Sequence, residues 1–179
     1  MKRVCVALIG VLFSASGLFA DWGDSEGWRA FVKGGYYLWD LDGKISVPTE
    51  SKDLEDANGF GFGVDAPYFF DNGLKVGVYI DIGFLGNDAP PIDLGALAGY
   101  EFDSGASVDL RVGYGLVSSF DGLSYGLAAN YRFGDRKKWQ VQARYLIQDG
   151  FEYVGEKKYS GPELDATSLF VSIGYSFQR

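Results

Sequence analysis

The charged residues that could do chemistry recur at every second position within segments of otherwise apolar and small residues. Such spacing places them on one face of extended strands. A carboxylate pair such as Asp81 and Asp109 could do acid–base work, but cations and carboxylates in near balance favour ion pairing in a shared interior. The predicted network comprises Arg29, Lys33, Asp65, Lys75, Asp81, Asp93, Glu101, Asp109, Arg111, Arg132 and Arg144.

Histidine, the usual general base beside a nucleophile, is absent from the chain. Serine–histidine triads and their variants therefore cannot be built. The single cysteine, Cys5, lies near the start of the chain, in a segment that we expect to be removed. We therefore predict that the protein is not an enzyme, and that it has no cofactor, disulfide or cysteine metal site.

Two long connecting segments carry many acidic residues and could form a cation-binding or adhesive surface. Neither has the ligand spacing of a calcium loop, so we interpret both as solvated loops and predict no metal site. Their carboxylates are Asp40, Asp42, Glu50, Asp53, Glu55 and Asp56 in the first, and Glu152, Glu156, Glu163 and Asp165 in the last.

The first twenty residues have the features of a secretory signal peptide. Lys2 and Arg3 precede an apolar stretch and small residues, and cleavage is predicted after Ala20, with Ser16 as the competing position. This leaves one domain, residues 21–179. Removing two cations changes the net charge from −8 to −10, and so acidic a chain is not expected to bind nucleic acid.

Eight segments alternate apolar residues with small or polar ones, which predicts β-strands. No helical periodicity lies between them, so the order predicts an antiparallel up-and-down arrangement. Short turns at 70–73, 103–106 and 134–138 alternate with connections at 40–58, 86–91, 118–122 and 149–165. The predicted strands are 28–38, 59–68, 74–84, 92–102, 108–116, 123–133, 139–147 and 168–177.

Glycines and aromatic residues indicate which face of the strands points outward. Most strand glycines share the polar face, where they leave room in the narrow interior of an eight-stranded barrel. The apolar face is large, and its aromatic residues cluster near strand ends, as at the two interfaces of a bilayer. We therefore predict a transmembrane β-barrel, with interface aromatics Trp28, Tyr68, Phe102, Phe133, Trp139, Tyr175 and Phe177.

This pattern resembles the small eight-stranded outer-membrane barrels of the OmpA transmembrane-domain and OmpX type, over nearly all of residues 21–179. The last strand is similar to the C-terminal signal that the barrel-assembly machinery reads, with Gly174, Tyr175 and Phe177 at the matching places and Gln178 and Arg179 following. The resemblance implies a bacterial outer-membrane location, and outer-membrane lipid and the export and assembly machinery as partners. Enzymes among such barrels use a catalytic histidine, which this chain lacks.

The sequence thus favours a monomeric, non-enzymatic outer-membrane barrel with a structural or surface-interaction role and a lumen plugged by charged residues. Two alternatives stay open. A looser interior would make a small passive pore, and an inward-facing apolar surface would make a periplasmic lipocalin-like binding barrel.

Overall fold

The computed structural model describes residues 26–42, 44–47, 50–53, 57–84, 90–117, 120–153 and 164–177. The predicted signal peptide and the final Gln178 and Arg179 lie outside this part of the chain. The strands are β1 (Gly27–Trp28), β2 (Phe31–Asp42), β3 (Lys44–Val47), β4 (Glu50–Asp53), β5 (Ala57–Phe69), β6 (Leu74–Phe84), β7 (Ile92–Glu101), β8 (Ala106–Val117), β9 (Phe120–Phe133), β10 (Trp139–Tyr153) and β11 (Leu164–Ser176).

Eight long strands close into an antiparallel barrel, as the sequence predicted. Going round it, β2, β5, β6, β7, β8, β9, β10 and β11 each pair with the next. The ring closes where β11 pairs with β2, with Ser172 opposite Gly35. Within the described ranges the helical structure is one 3-10 turn, Asp135–Lys137, and no helix there is long and apolar enough to cross a membrane.

The first predicted strand is interrupted at residues 29 and 30. β1 and β2 follow the same register on β5, since Trp28 lies opposite Tyr68 and Phe31 opposite Asp65. Between them Arg29 donates its backbone N–H to the carbonyl of Pro67, at 2.9 Å. Proline has no N–H to return, which explains why the ladder breaks here.

On the loop side the strands continue beyond their predicted ends. The prediction of an open loop over 40–58 is wrong, because β2 reaches Asp42 and β3 and β4 form a hairpin of their own. β10 likewise extends to Tyr153 and β11 begins at Leu164, with a register shift between Gln148 and Phe151. The predicted strand ends lie where the alternation of apolar residues stops, whereas backbone pairing continues wherever two strands stay adjacent.

Two of the predicted short turns share one geometry. In the β5–β6 turn Gly73 donates its N–H to the carbonyl of Phe70 at 3.0 Å and has a φ of 82°. Gly105 repeats this in the β7–β8 turn, with a φ of 88° and a 2.8 Å bond to Phe102. A positive φ favours glycine, so these glycines end the turns and set the register of the following strands.

Along most of the barrel wall the apolar side chains point outward and the charged side chains point inward. Along β8, Val108, Leu110 and Val112 are at least half exposed, whereas Asp109 and Arg111 between them are buried. This is the orientation predicted for a membrane barrel. It is the reverse of a lipocalin-like barrel, whose apolar face lines the interior, so that alternative does not fit the structure.

Candidate functional site: the charged lumen

Asp65 of β5 lies at the centre of the lumen, held by side chains from three other strands. Arg111 of β8 donates to both carboxylate oxygens, at 3.1 and 2.7 Å. Lys33 Nζ donates at 2.7 Å, and so does Gln142 Nε2. All four residues are buried. A buried carboxylate is costly unless paired and hydrogen-bonded. Here Oδ1 accepts from the two cations, and Oδ2 accepts from Arg111 and the Gln142 amide.

Two further carboxylates extend this cluster across the barrel. Asp81 of β6 pairs with Lys33 at 2.9 Å and with Arg144 of β10. Asp109 of β8 pairs with Lys75 Nζ at 2.7 Å and lies 3.8 Å from Arg111. The result is one continuous set of alternating charges, which joins strands on opposite sides of the ring.

Neutral amides fill the gaps between these ions. Asn130 donates to Asp109 at 2.9 Å and accepts hydrogen bonds from Gln142 at 2.7 Å and Gln140 at 3.2 Å. Gln142 therefore connects Asn130 to Asp65. Each of these amides can both donate and accept hydrogen bonds. They therefore extend the network at positions where another charged side chain would have no partner of opposite charge.

Asp93 of β7 is held differently, nearer the loop end of the barrel. It accepts hydrogen bonds from Ser124 at 2.8 Å, Tyr79 at 3.3 Å and Gln148 at 3.4 Å. Within the described ranges no lysine or arginine nitrogen lies within salt-bridge distance of this carboxylate. Hydroxyls and an amide thus replace the cation that the other buried aspartates have.

At the turn end, Glu101 forms a separate pair with Arg132, to which Lys137 adds a contact of 3.5 Å. Phe69 lies beside it, with Arg132 4.3 Å and Arg29 5.3 Å from the ring centre. The structure therefore divides the predicted charged residues into a central network, the hydrogen-bonded Asp93 and this turn-end group. Arg29 and Glu101 are half-buried, and the other nine are buried.

An apolar cluster lies inside the loop end of the barrel, made by Tyr37, Trp39, Ala166 and Phe170. Alternation places Tyr37 on the inward face, but the sequence analysis did not predict the other three. Phe170 is fully buried, whereas Val171 and Ile173 of the same strand face outward. The inward position of Phe170 could have been predicted from the sequence, because the residue lies midway between Ser168 and Ser172 and strand periodicity assigns it to their face. Leu97 and Leu146 are buried at equivalent inward positions.

The predicted interface aromatics contact one another on the outside of the turn end. Trp28 packs against Tyr68 at 5.6 Å between ring centres, and Trp139 against Tyr175 at 4.8 Å. Phe102 and Phe133 each contact a tyrosine two residues earlier, and Phe177 contacts Tyr175. These edge and stacked contacts form a discontinuous aromatic belt. Gly174, beside Tyr175, is buried against Lys33.

The arrangement is suited to holding the interior together. Its carboxylates are engaged by cations and amides, and, counted over the part of the chain that the structure describes, no three potential ligands of the His, Cys, Asp or Glu type converge on a metal position. Removing one partner of a buried pair leaves an uncompensated charge, so the members of the network depend on one another.

The closed ring, its outward apolar face and its charged interior define the class: the chain has the fold of the small eight-stranded outer-membrane β-barrels. A crystal structure of Ail, the attachment invasion locus protein of Yersinia pestis, matches with a TM-score of 0.50 at 13% identity, covering 85% of this chain and 99% of Ail. The outer membrane protein AlkL, solved by solid-state NMR in DMPC bilayers, matches with a TM-score of 0.52 at 16% identity, covering 89% and 94%. No family model and no curated protein matches the sequence.

Proposed function

We propose that the protein is a monomeric, non-enzymatic outer-membrane barrel, plugged by its charged lumen, with a structural or surface-interaction role. The fold supports outer-membrane residence, as does the apolar outer surface. In this proposal the chain is exported by its signal peptide and then assembled into the outer membrane.

One observation supports the proposal of a plugged lumen: the ion pairs cross the lumen. Asp81 of β6 and Arg144 of β10 lie on strands separated by three others in either direction round the ring. Asp65 and Arg111 likewise join β5 to β8. Side chains that meet across the middle support a blocked interior, and an eight-stranded barrel has room inside for little more than side chains.

Planar-bilayer recording tests the plug against the passive pore. We expect purified protein to give no steady large conductance. The double variant Asp65→Ala, Arg111→Ala removes a cross-lumen bridge and should conduct measurably more, because its interior loses two large side chains. Lys138→Ala, in the β9–β10 turn, serves as the matched control and should behave as wild type. Steady large conductance from the wild-type protein would overturn the plug.

Outer-membrane residence has a separate test. The protein should fractionate with the outer membrane and run on a detergent gel as a compact species until it is boiled, because a closed barrel resists detergent unfolding. Recovery in the soluble periplasmic fraction would contradict the proposal.

We also propose that Gly174, Tyr175 and Phe177 form the assembly signal. Two features support this. Phe177 is exposed at the turn end of the last strand, and β11 is the strand that must pair with β2 to close the ring.

A further inference from the structure

A cleft of about 650 Å3 opens at the turn end of the barrel, below the central network. We call it the turn-side cleft and define it by four cations that line it: Arg29, Arg132, Arg136 and Lys137. They come from the break between β1 and β2, from the end of β9 and from the turn that follows β9. Residues distant in sequence therefore bring positive charge to one cavity.

Arg132 has an unused donor in this cleft. Its Nε and Nη2 donate to Glu101, but Nη1 is buried without a hydrogen-bond partner, and only 5% of the residue is exposed. A buried guanidinium N–H without an acceptor costs free energy. A ligand oxygen would satisfy it once a small side-chain movement exposed this nitrogen to the cleft, since the atom is covered in the structure.

The lining of the cleft carries more cations than carboxylates. Glu101 is already shared by Arg132 and Lys137, and Lys137 also donates to the backbone carbonyl of Asp103 at 3.2 Å. The side chains of Asp71 and Asp103 are on exposed turns. Four lining cations thus face three lining carboxylates, one of them doubly paired.

The backbone of the β9–β10 turn is strained where it supplies two of these cations. Arg136 has a φ of 54° and Lys137 a φ of 51°, values in the left-handed region that side chains other than asparagine and aspartate rarely adopt. Glycine would relieve this strain, yet the chain has an arginine and a lysine there. Strained backbone of this kind often accompanies a functional site.

We propose that the turn-side cleft binds a phosphate group, as the free ion or as the phosphodiester of an anionic lipid headgroup. Guanidinium and ammonium groups that converge on one cavity suit the several oxygens of a phosphate. The outward aromatic residues Phe70, Tyr100 and Phe102 also line the cleft, so its edge adjoins the surface that would contact lipid. This goes beyond the plugged-barrel function, since the cleft lies outside the central network.

Lipid retention in nanodiscs tests whether the turn-side cleft binds the phosphodiester of an anionic lipid headgroup. Protein in mixed phosphatidylglycerol and phosphatidylcholine nanodiscs is released into the gas phase, and native mass spectrometry counts the lipids that stay bound. We expect wild type to retain phosphatidylglycerol preferentially. Arg136→Asn should weaken retention about fivefold, the effect of one cation near a lipid surface, and adding Lys137→Asn should weaken it further. Asparagine tolerates the left-handed backbone, so both variants should fold.

Calorimetry with inorganic phosphate tests the free ion, using detergent-solubilised protein. Saturable heat of phosphate binding that disappears in the double variant would support a site for the free phosphate ion. Retention of phosphatidylglycerol without such heat would support a site for the lipid headgroup. The matched control is Lys138→Gln, which removes one positive charge from the same turn but not from the cleft lining. Absence of both signals, or an equal loss in this control, would overturn the proposal.

Discussion

Arg111 is the residue on which most of the central network depends. Replacing it with methionine keeps much of the side-chain volume but leaves Asp65 without its two guanidinium bonds. We expect the free energy of unfolding to fall by about 3 kcal/mol, the scale for removing one partner of a buried pair. Urea unfolding in lipid vesicles, followed by tryptophan fluorescence, measures this.

Adding Asp65→Asn to that variant should recover part of the loss, because neither charge of the pair then remains. Lys138→Met provides the control outside the network. A loss for Arg111→Met no larger than that of the control would mean that the observed ion pairs do not stabilise the barrel.

Gly63 tests how closely the interior is packed. A Cβ there would lie 1.9 Å from Asp81 Oδ1 and 2.6 Å from the carbonyl of Ile80, so Gly63→Ala must displace the network. We expect it to lower the free energy of unfolding by about 1–3 kcal/mol. Gly34 faces outward on the paired strand, where a Cβ would make ordinary contacts with Phe62 at 3.4 Å and with the carbonyl oxygen of Gly61 at 3.8 Å. Gly34→Ala should therefore cost less than about 0.5 kcal/mol, and equal costs would contradict the inward placement.

Among the elements, the β2–β11 seam closes the ring. Tyr36 and Val171 lie directly opposite each other across it and are both exposed. Cysteines at these positions, introduced with Cys5→Ser, should form a disulfide under mild oxidation, because antiparallel partners have suitable Cα separations. A shift in gel mobility after boiling without reductant reports it. The pair Tyr36→Cys, Val78→Cys joins strands that are not neighbours and should remain reduced.

The sequence predicted the elements well where membrane physics dictates the pattern, and less well elsewhere. Leu74 to Phe84 is the strand β6 that alternation predicted, because one of its faces meets lipid and the other meets the lumen. The β3–β4 hairpin was missed, because beyond the bilayer strands need no apolar face. Lys33, Asp65 and Arg111 could be assigned to one interior from periodicity. Their pairing depends on register and strand order round the ring, which alternation does not specify.

At the scale of the whole molecule, orientation in the membrane decides the effect of a surface charge. Leu110, near the middle of β8, is 64% exposed, and Leu74 starts β6 at the turn end. In lipid vesicles Leu110→Arg should lower the free energy of unfolding by about 2–4 kcal/mol, and Leu74→Arg by less than about 1, because the cost falls toward the interface. Urea titration compares the two. Equal, small effects would indicate a barrel surrounded by water.

Asp65 takes its partners from positions 32, 46 and 77 residues away in sequence. A substitution that removes or adds a charge among these residues upsets the balance, so such a change on one strand calls for a compensating change on another. During evolution the residues of this interior should therefore change together. Descendants of one ancestral barrel are expected to exchange these residues in correlated sets, while the acyl-facing leucines and valines drift independently of each other.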